Sequence, residues 1–451
     1  IEDQSAPLYE GKNVTVTIYD SNYDIPVDKV LKSVDGIQSA ENAYEIGRTG
    51  NPLERVHDII GAMRGHREAQ IAATVDEESL RGTLNEIADT ALTEPVNPTW
   101  ELKDSNLIVH SGKPGVKFDT DAVEQALTDQ IRLMDFEPYE VSTDVTAAPA
   151  IDVDKIAADI IGDPVNATVS KKDGKTIIAG KAGVSFDTDK AREIIGDGSQ
   201  ETYTIPVTIT QPSITAETLK AKLFHDTLAR TATNLDEGNA PRTNNIRLAA
   251  KAINGTILNP GDEFSYNGTV GERTAARGYQ EAHAYSGGKI IDEFGGGVCQ
   301  PSSTLYMAVL RADLKVTERH NHSFTVSYTP LGEDATVDYG NLDFRFVNNT
   351  AYPVKILAEQ TDGQMIMTIV GTKTSDKTVT TRTEVLETYK PETVTKTDSS
   401  MEAGDSRVET SGITGYSTKT YKQITENGKT TEVLANSSTY SKRDEVVYVG
   451  E

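Results

Sequence analysis

The sequence predicts a multidomain α+β protein: two small α+β repeat modules, a mixed α+β domain and an elongated all-β module at the C-terminus. Three observations lead to this fold class. The chain has 451 residues, enough for about three or four domains. A pair of motifs recurs at a nearly fixed distance in the first half. The last 81 residues contain 18 Thr and almost no long apolar helix, which is typical of a small sheet module.

The tandem repeat defines the first two modules. The PVN motif recurs 69 positions later, and the GVxFDTD motif, which begins at Gly115 and at Gly183, recurs 68 positions later. Each copy predicts a strand, a turn, a second strand and then a helix. Asp119 and Asp187, or the Thr that follows each, are expected N-caps, because acidic side chains favour helix N-termini. A cap explains these carboxylates with fewer assumptions than a cation site.

Local periodicity predicts the remaining elements. A strand is expected from Asn13 in NVTVTIYD, followed by a helical stretch around Pro26 to Val34. An amphipathic helix is expected from Ser213 to Leu228. The segments FTVSYTP and YPVKILAEQ, both in the third region, alternate in polarity and are expected strands.

Composition excludes several classes of function. Lys plus Arg is 44 against 69 for Asp plus Glu, a net charge of -25, which argues against nucleic acid as the main partner. No run approaches 18 apolar residues, so no membrane span is expected, and any anchor is expected upstream of Ile1. The single cysteine, Cys299, excludes an internal disulfide framework and a multi-cysteine zinc site. We expect no cofactor and no metal.

The segment FGGGVCQPSSTLYMAVLRADL contains the candidate nucleophile. Three glycines precede Cys299, and Pro301 favours the first position of a helix that should run to about Asp313. Cys299 or Gln300 then lies at the helix N-cap, where the macrodipole and free N–H groups stabilise a thiolate. The same N–H groups could hold the oxyanion of an acyl-transfer intermediate.

The candidate base is one of two histidines. His320 and His322 lie in RHNHSFTVSYTP, and on a strand residues two apart share a face, so both rings could point into one cleft. Three carboxylates could orient the base: Asp334, Asp338 and Asp343. Two alternatives stay open here. Free Cys is often a small buried hydrophobe, and a Cys with two His could form a zinc site.

The motifs resemble known families over nearly the whole chain. Residues of about 240–372, with GGGVCQPSSTLY, ERHNHSFTVSYTPLGEDATVDYGNLDFRF and NNTAYPV, closely resemble the VanW family, which is named from vancomycin-resistance clusters. AYEIGRTGN and GVKFDTD resemble the peptidoglycan-binding domain that often precedes VanW. The tail, with MEAGDSRVETSGITGYSTKTY, resembles the G-five domain of cell-wall proteins. The expected domains are peptidoglycan-binding modules at 1–136 and 137–215, a VanW domain at 216–373 and a G-five-like domain at 374–451.

The resemblance implies an activity and a set of site residues. Some proteins of this layout are L,D-transpeptidases, which implies Cys299 as nucleophile and His320 or His322 as its base. Asp338 falls outside the family motifs and ranks lower as the group that orients the base. Oxyanion or supporting roles are implied for Gly297, Gln300, Ser302, Arg319, Asp334 and Asp343. Ser303, where Thr is commonest, is left without a role.

The implied partners are peptidoglycan stem peptides and glycan, with carbapenems as candidate covalent inhibitors. The implied location is extracellular, at the cell wall or surface of a Gram-positive bacterium, with a membrane contact only through an N-terminal helix. Cys299 would form a thioester with a stem tetrapeptide and then a 3-3 cross-link. Two other functions stay open: a peptidoglycan peptide hydrolase that uses the same Cys-His pair, and a non-catalytic peptidoglycan-binding scaffold.

Overall fold

Two compact units make up the structure. The computed structural model describes residues 6–286 and 289–450. The first unit contains the chain up to Gly162 together with Val184–Ile209. The second contains Asp163–Gly183 and the chain from Thr210 onward. Helices and small sheets alternate in most of the chain and only strands follow residue 377, which confirms the α+β multidomain fold class with an all-β C-terminal module. No described helix is both long and apolar enough to cross a membrane.

The first module begins with a 3-10 turn at Ala6–Leu8 and packs two helices against small sheets. Its elements are β1 (Asn13–Ile18), β2 (Ser21–Pro26), α1 (Val27–Val30), β3 (Leu31–Asp35), α2 (Gly36–Glu45), α3 (Pro52–Met63), β4 (Ala72–Val75), α4 (Glu77–Ala91), β5 (Thr99–Lys103), β6 (Asn106–His110), β7 (Gly115–Lys117), α5 (Thr120–Arg132), β8 (Tyr139–Glu140) and β9 (Asp144–Thr146). The strand expected from Asn13 is confirmed. The helix expected to reach Val34 is wrong beyond Val30, because the next residues pair with β4 instead.

The second copy of the repeat contributes α6 (Val153–Ile160), β10 (Thr168–Val169), β11 (Ile177–Ile178), β12 (Gly183–Ser185), α7 (Thr188–Ile195), β13 (Thr202–Pro206) and β14 (Thr208–Thr210). Both predicted N-caps are confirmed: Asp119 accepts from the backbone N–H of Ala122, and Asp187 accepts from that of Lys190. Each such cap stabilises its helix by about 1 kcal/mol.

The hairpin of each repeat packs on the module that follows it. The first hairpin, β5–β6, pairs with β13, and its Leu107 and Val109 join the core formed by α6 and α7. The second hairpin, β10–β11, packs with the helix that begins at Ala216 and near Tyr352 of the second unit. This forward packing explains why Asp163–Gly183 groups with the second unit.

The central part of the second unit places one buried helix on a four-stranded sheet. Its elements are α8 (Ala216–Lys222), β15 (Asp226–Asn234), α9 (Ala240–Ile253), β16 (Ile257–Leu258), β17 (Glu263–Ser265), α10 (Tyr266–Val270), β18 (Glu281–Ser286), β19 (Lys289–Phe294), α11 (Cys299–Arg311), β20 (Lys315–Glu318), β21 (Arg345–Val347), β22 (Val354–Thr361) and β23 (Gln364–Gly371), with a 3-10 turn at Ala275–Arg277. The sheet order is β15-β23-β22-β16, and α11 packs on β15 and β23.

Two sequence expectations fail in this region. The helix expected from Ser213 to Leu228 ends at Lys222, because the chain then enters β15, which pairs with β23. The FTVSYTP segment is not a strand: residues 324–330 form bends and irregular structure. The strand expected in YPVKILAEQ is confirmed as β22.

The C-terminal module consists of two three-stranded sheets, in the orders β24-β27-β28 and β25-β29-β26. The strands are β24 (Thr378–Tyr389), β25 (Thr393–Asp398), β26 (Ser406–Thr410), β27 (Gly415–Glu426), β28 (Lys429–Tyr440) and β29 (Glu445–Gly450). Few large apolar side chains are buried here. Its buried side chains include Thr418, Thr420, Ser438 and Tyr440, so polar groups occupy most of this interior.

Candidate functional site

A glycine-rich turn delivers Cys299 to the start of the buried helix α11. Gly295 and Gly297 have φ values of +85° and +101°, which favour glycine. A Cβ on Gly296 would lie 2.2 Å from the carbonyl oxygen of Ala282, so no other side chain fits there. The helix begins at Cys299 itself, two residues before the position expected at Pro301. Among the described residues no side chain caps this end, and the partial positive charge at a helix N-terminus favours an anion there.

Cys299 is intermediate in exposure as a residue, and polar groups surround its thiol. Its Sγ lies 3.5 Å from the Thr336 hydroxyl oxygen and 3.6 Å from the Val337 carbonyl oxygen. His322 forms a hydrogen bond with it. Burial alone would raise the pKa of the thiol, but the hydrogen bond and charge of His322 outweigh it and lower the pKa to about 7. About half of the thiol is therefore ionised at neutral pH.

His322 is held by a buried carboxylate. Its Nδ1 lies 2.7 Å from Oδ2 of Asp334, which also accepts the His322 backbone N–H at 2.7 Å. Burial lowers the pKa of the imidazole, but Asp334 and Cys299 raise it to about 9. Burial raises the pKa of Asp334, whereas His322 and the Arg319 guanidinium lower it to about 2. Cys299, His322 and Asp334 therefore form a thiolate–imidazolium–carboxylate chain, the arrangement of a nucleophile, its base and the group that orients the base.

His320 does not share this position. Its Nε2 lies 3.2 Å from Glu318 Oε1, and its side chain is 42% exposed. Both rings were expected on one face of a strand, but β20 ends at Glu318, and after a single bridge between His320 and Thr336 the chain is irregular. The alternation of strand faces therefore does not apply, and the contact with Cys299 belongs to His322.

Two of the three expected carboxylates lie elsewhere. Asp343 is buried but accepts hydrogen bonds from the Ser265 hydroxyl, the Asn267 backbone N–H and Arg345, so it fixes the start of α10 instead of a histidine. Asp338 is exposed, and its carboxylate accepts from Asn341. Neither Asp343 nor Asp338 therefore orients His322, and the expectation that they could is corrected.

The side chain of Gln300 is held by hydrogen bonds at both ends of its amide. Its side-chain amide donates to the Thr233 hydroxyl at 2.9 Å and to the Asn234 carbonyl at 2.7 Å, and its Oε1 accepts from Arg242 Nη2 at 2.7 Å. With both ends of the amide occupied, the side chain anchors the start of α11 to β15 and is not available to an oxyanion. A Cβ on Gly297 would lie 2.6 Å from Arg242 Cγ, so this glycine leaves room for the same arginine.

The two remaining serines next to the nucleophile differ. Ser303 accepts the backbone N–H of Ala335 at 3.0 Å, which ties α11 to the loop that carries Asp334. Ser302 is fully buried, and its hydroxyl has no hydrogen-bond partner among the residues the structure describes. Ser303, left without a role by the sequence, thus has a structural one.

Sequence reasoning missed two side chains near the sulfur. The Tyr328 hydroxyl lies 3.4 Å from Nε2 of His322, and burial, then the negative charge of Cys299, raises the pKa of this phenol. Arg242 interacts electrostatically with both Cys299 and Tyr328. Neither residue has a spacing rule that points to it: Tyr328 lies in a segment expected to be a strand, and Arg242 is 57 positions before the cysteine. Within residues 6–286 and 289–450, no group of three or more His, Cys, Asp or Glu side chains is arranged to hold a metal ion.

Comparisons with known proteins agree with this organisation. A sequence model described as "VanW like protein" matches residues 241–370, one described as "Putative peptidoglycan binding domain" matches residues 23–140, and one described as "G5 domain" matches residues 378–451. The uncharacterized protein YoaR of Bacillus subtilis is 35% identical over 46% of this chain and 69% of its own length. The vancomycin B-type resistance protein VanW of Enterococcus faecalis is 29% identical over 29% of this chain and 49% of its own length.

Two solved structures of G5 domains are also similar to part of the chain. HP0197-G5 is 19% identical and the IgA1 protease G5 domain is 15% identical; each covers 17% of this chain, with TM-scores of 0.12 and 0.13. The matches cover 100% and 95% of those two chains. The three matched sequence models together indicate a cell-wall-associated function, with peptidoglycan as the partner and an extracellular or cell-wall location. Because YoaR aligns over more than two thirds of its length, this chain belongs to the VanW family.

Proposed function

We propose that the chain is a peptidoglycan L,D-transpeptidase that forms 3-3 cross-links through a thioester on Cys299. The observation that supports this proposal is the Cys299–His322–Asp334 chain, in which the pKa of the thiol is lowered to about 7 at the start of a helix. A thiolate at neutral pH is the species that attacks an amide carbonyl. A structural cysteine has no need of an ionised partner. The Cys299–His322–Asp334 arrangement therefore supports a catalytic function better than a scaffold function.

The first half-reaction acylates the sulfur. The Cys299 thiolate attacks the carbonyl carbon of the third residue of a stem tetrapeptide and forms a tetrahedral oxyanion. As the C–N bond breaks, the His322 imidazolium gives its proton to the leaving nitrogen, and D-alanine departs as a neutral amine. The ionised Asp334 keeps Nδ1 of His322 protonated, so the other ring nitrogen faces the reacting groups.

The second half-reaction transfers the acyl group. The side-chain amine of a diamino acid on a neighbouring stem attacks the thioester carbonyl and passes a proton to His322. The C–S bond then breaks, an amide forms and the thiolate is restored. A thioester reacts readily with amines, and a site that excludes water favours transfer to an amine over hydrolysis.

The other parts of the chain would supply the substrate. We propose that the modules at 1–136 and 137–215 hold glycan or stem peptide, which raises the local concentration near the VanW domain at 216–373. We also propose a Gram-positive host and an N-terminal membrane anchor, as in other proteins of this layout. Carbapenems would acylate Cys299 because they present a strained amide to the same thiolate.

The test uses purified disaccharide-tetrapeptide monomers. Incubation with the full chain should give 3-3 dimers and free D-alanine, identified by mass and fragmentation. Cys299→Ala should give neither product, and His320→Ala is the matched control that should retain activity. Trimmed monomers without dimers would identify a hydrolase that uses the same Cys-His pair. No product of either kind with a correctly folded protein contradicts both catalytic functions.

A second measurement reports on the acyl-enzyme alone. A carbapenem should add one molecule to the intact mass of the wild type and nothing to Cys299→Ala. An unmodified wild type would favour the scaffold function.

A further inference from the structure

The hydrogen bonds of Asp334 extend into the C-terminal module. The Tyr440 hydroxyl, at the end of β28, donates to Oδ1 of Asp334 at 2.5 Å and accepts the Gly332 backbone N–H at 2.7 Å. Tyr440 is 1% exposed, and the Asp334 side chain is also 1% exposed. A residue 106 positions downstream therefore contacts the buried carboxylate directly.

Arg319 makes a second connection between the two parts. Its Nη2 donates to Oδ1 of Asp334 at 2.9 Å and its Nε to the Asp334 backbone carbonyl at 2.6 Å. Its Nη1 donates to the Ser438 hydroxyl of β28 at 2.8 Å. The guanidinium is thus held between the carboxylate and the last strand of the β24-β27-β28 sheet.

The loop before Asp334 lies directly on that sheet. Thr383 donates to the Leu331 carbonyl at 2.9 Å, and Asn436 donates to the Gly332 carbonyl at 2.9 Å. A Cβ on Gly332, whose φ is +76°, would lie 1.9 Å from the Thr420 hydroxyl oxygen. The approach is so close that only glycine fits, and the loop conformation depends on the sheet beneath it.

We infer that the C-terminal β module is part of the catalytic machinery, and that Tyr440 is a positioning residue that fixes Asp334 in the orientation in which it holds His322. This inference rests on the proposed function, because it concerns the same nucleophile. The C-terminal module then has a role beyond contact with the cell wall: it completes the site.

The hydrogen bonds of Asp334 determine the orientation of its carboxylate. Oδ2 of Asp334 accepts two hydrogen bonds from His322, while Oδ1 accepts one from Arg319 and one from Tyr440. A carboxylate has about four acceptor sites, and here all four are used, which fixes its rotation about χ2. Without the phenol, one donor on Oδ1 is lost and the carboxylate can rotate away from Nδ1 of His322, which weakens the imidazolium and, through it, the thiolate.

The experiment compares Tyr440→Phe with the wild type in the full chain. Cys299 is the only cysteine, so the rate of alkylation by iodoacetamide as a function of pH reports the ionisation of that thiol alone, without any substrate. The thiol faces His322, Tyr328 and Arg242, none of which is changed by the substitution. Dimer formation is measured in parallel, and thermal unfolding confirms that each variant is folded.

The expected result is a higher alkylation midpoint in Tyr440→Phe, moved from about 7 toward the ordinary value of 9.0, with dimer formation slower by up to about tenfold for each unit of the shift. Tyr389→Phe is the matched control: its phenol lies in the same module, on β24, and its hydroxyl donates to the exposed Glu387. It should match the wild type in both measurements.

A second variant keeps the inference testable if Tyr440→Phe unfolds. Ser438→Ala removes the hydroxyl that accepts from Arg319 and should move the midpoint in the same direction by a smaller amount. A folded Tyr440→Phe or Ser438→Ala protein with an unchanged midpoint and an unchanged rate overturns the inference, and so does a midpoint that falls. A wild-type midpoint near 9 contradicts the proposed function instead, so the two failures are distinguishable.

Discussion

Replacement of Asp334 by Asn tests whether the carboxylate maintains the ion pair. The carboxylate is buried, and both of its hydrogen bonds from His322 measure 2.7 Å. An amide of the same shape keeps the packing but removes the negative charge. It can also present N–H₂ to Nδ1 of His322, which reverses the tautomer of the ring.

The magnitude follows from the perturbed groups. The pKa of His322 is raised from 6.5 to about 9, which corresponds to about 3 kcal/mol of stabilisation of the imidazolium, shared between Asp334 and Cys299. Loss of the Asp334 part weakens the imidazolium, so the pKa of the thiol, which His322 lowers to about 7, should rise. A rise of about one unit would lower the thiolate fraction at pH 7 from about one half to about one tenth. Turnover should fall by at least about 100-fold, because the wrong tautomer cannot act as the base.

The assay combines alkylation of Cys299 between pH 5 and pH 10 with dimer formation from tetrapeptide monomers. Alkylation at pH 7 should slow about fivefold, far less than turnover. Asp338→Asn is the matched control, since this exposed carboxylate should affect neither measurement. The Asn variant should also be less stable by about 3–5 kcal/mol, because Arg319 keeps a buried charge without its partner. A folded Asp334→Asn protein with a wild-type alkylation profile and turnover within twofold refutes the reasoning.

Three further predictions use the same structure. His322→Ala should reduce dimer formation by at least about 100-fold and raise the alkylation midpoint, whereas His320→Ala should stay within about twofold in both; equal losses would contradict the assignment. The pKa of Asp334 is about 2 in the folded chain against 3.8 ordinarily, so its contribution of about 2 kcal/mol to the free energy of unfolding is present above pH 4 and is lost as the pH falls toward 2. Denaturant unfolding should therefore show a weaker dependence of stability on pH between about 4 and 2 in Asp334→Asn than in the wild type. Gly296→Ala should destabilise by about 2 kcal/mol or more, since its Cβ meets a backbone oxygen at 2.2 Å; an unchanged Tm in a thermal melt contradicts that contact.

The parts of the fold that the sequence predicts are those determined by neighbouring residues. The caps at Asp119 and Asp187 follow from a side chain and an N–H two or three positions apart. The helices expected through Val34 and Leu228 extend further than the helices in the structure, because their ends are determined by residues far away in the chain. Their final residues form β3 and the start of β15, which pair with strands about 40 and 145 positions later along the chain. Pairing at such distances overrides local helix propensity and leaves no local pattern.

The site residues show the same difference between features set by neighbouring residues and features set by tertiary structure. Cys299 could be found because glycines, a cysteine and a proline at a helix start are contiguous in the chain. The choice of His322 over His320 could not, because it depends on where β20 stops, and the unbroken run of polar residues at 317–323 does not mark that end. The forward packing of the β5–β6 and β10–β11 hairpins was also not predictable, since both hairpins have the same local pattern and differ only in the partner that follows.

The three carboxylates at 334, 338 and 343 show why the choice of Asp334 is a property of the tertiary structure. An ionised carboxylate can be buried only where donors satisfy its oxygens. Asp338 is exposed and needs none, and the donors of Asp343 belong to the start of α10 and to Arg345. The donors of Asp334 lie 12, 15 and 106 positions away, and the most distant, Tyr440, comes from the C-terminal sheet. Spacing within the VanW region cannot reveal this whole set of donors, because one of them, the Tyr440 hydroxyl, lies outside that region.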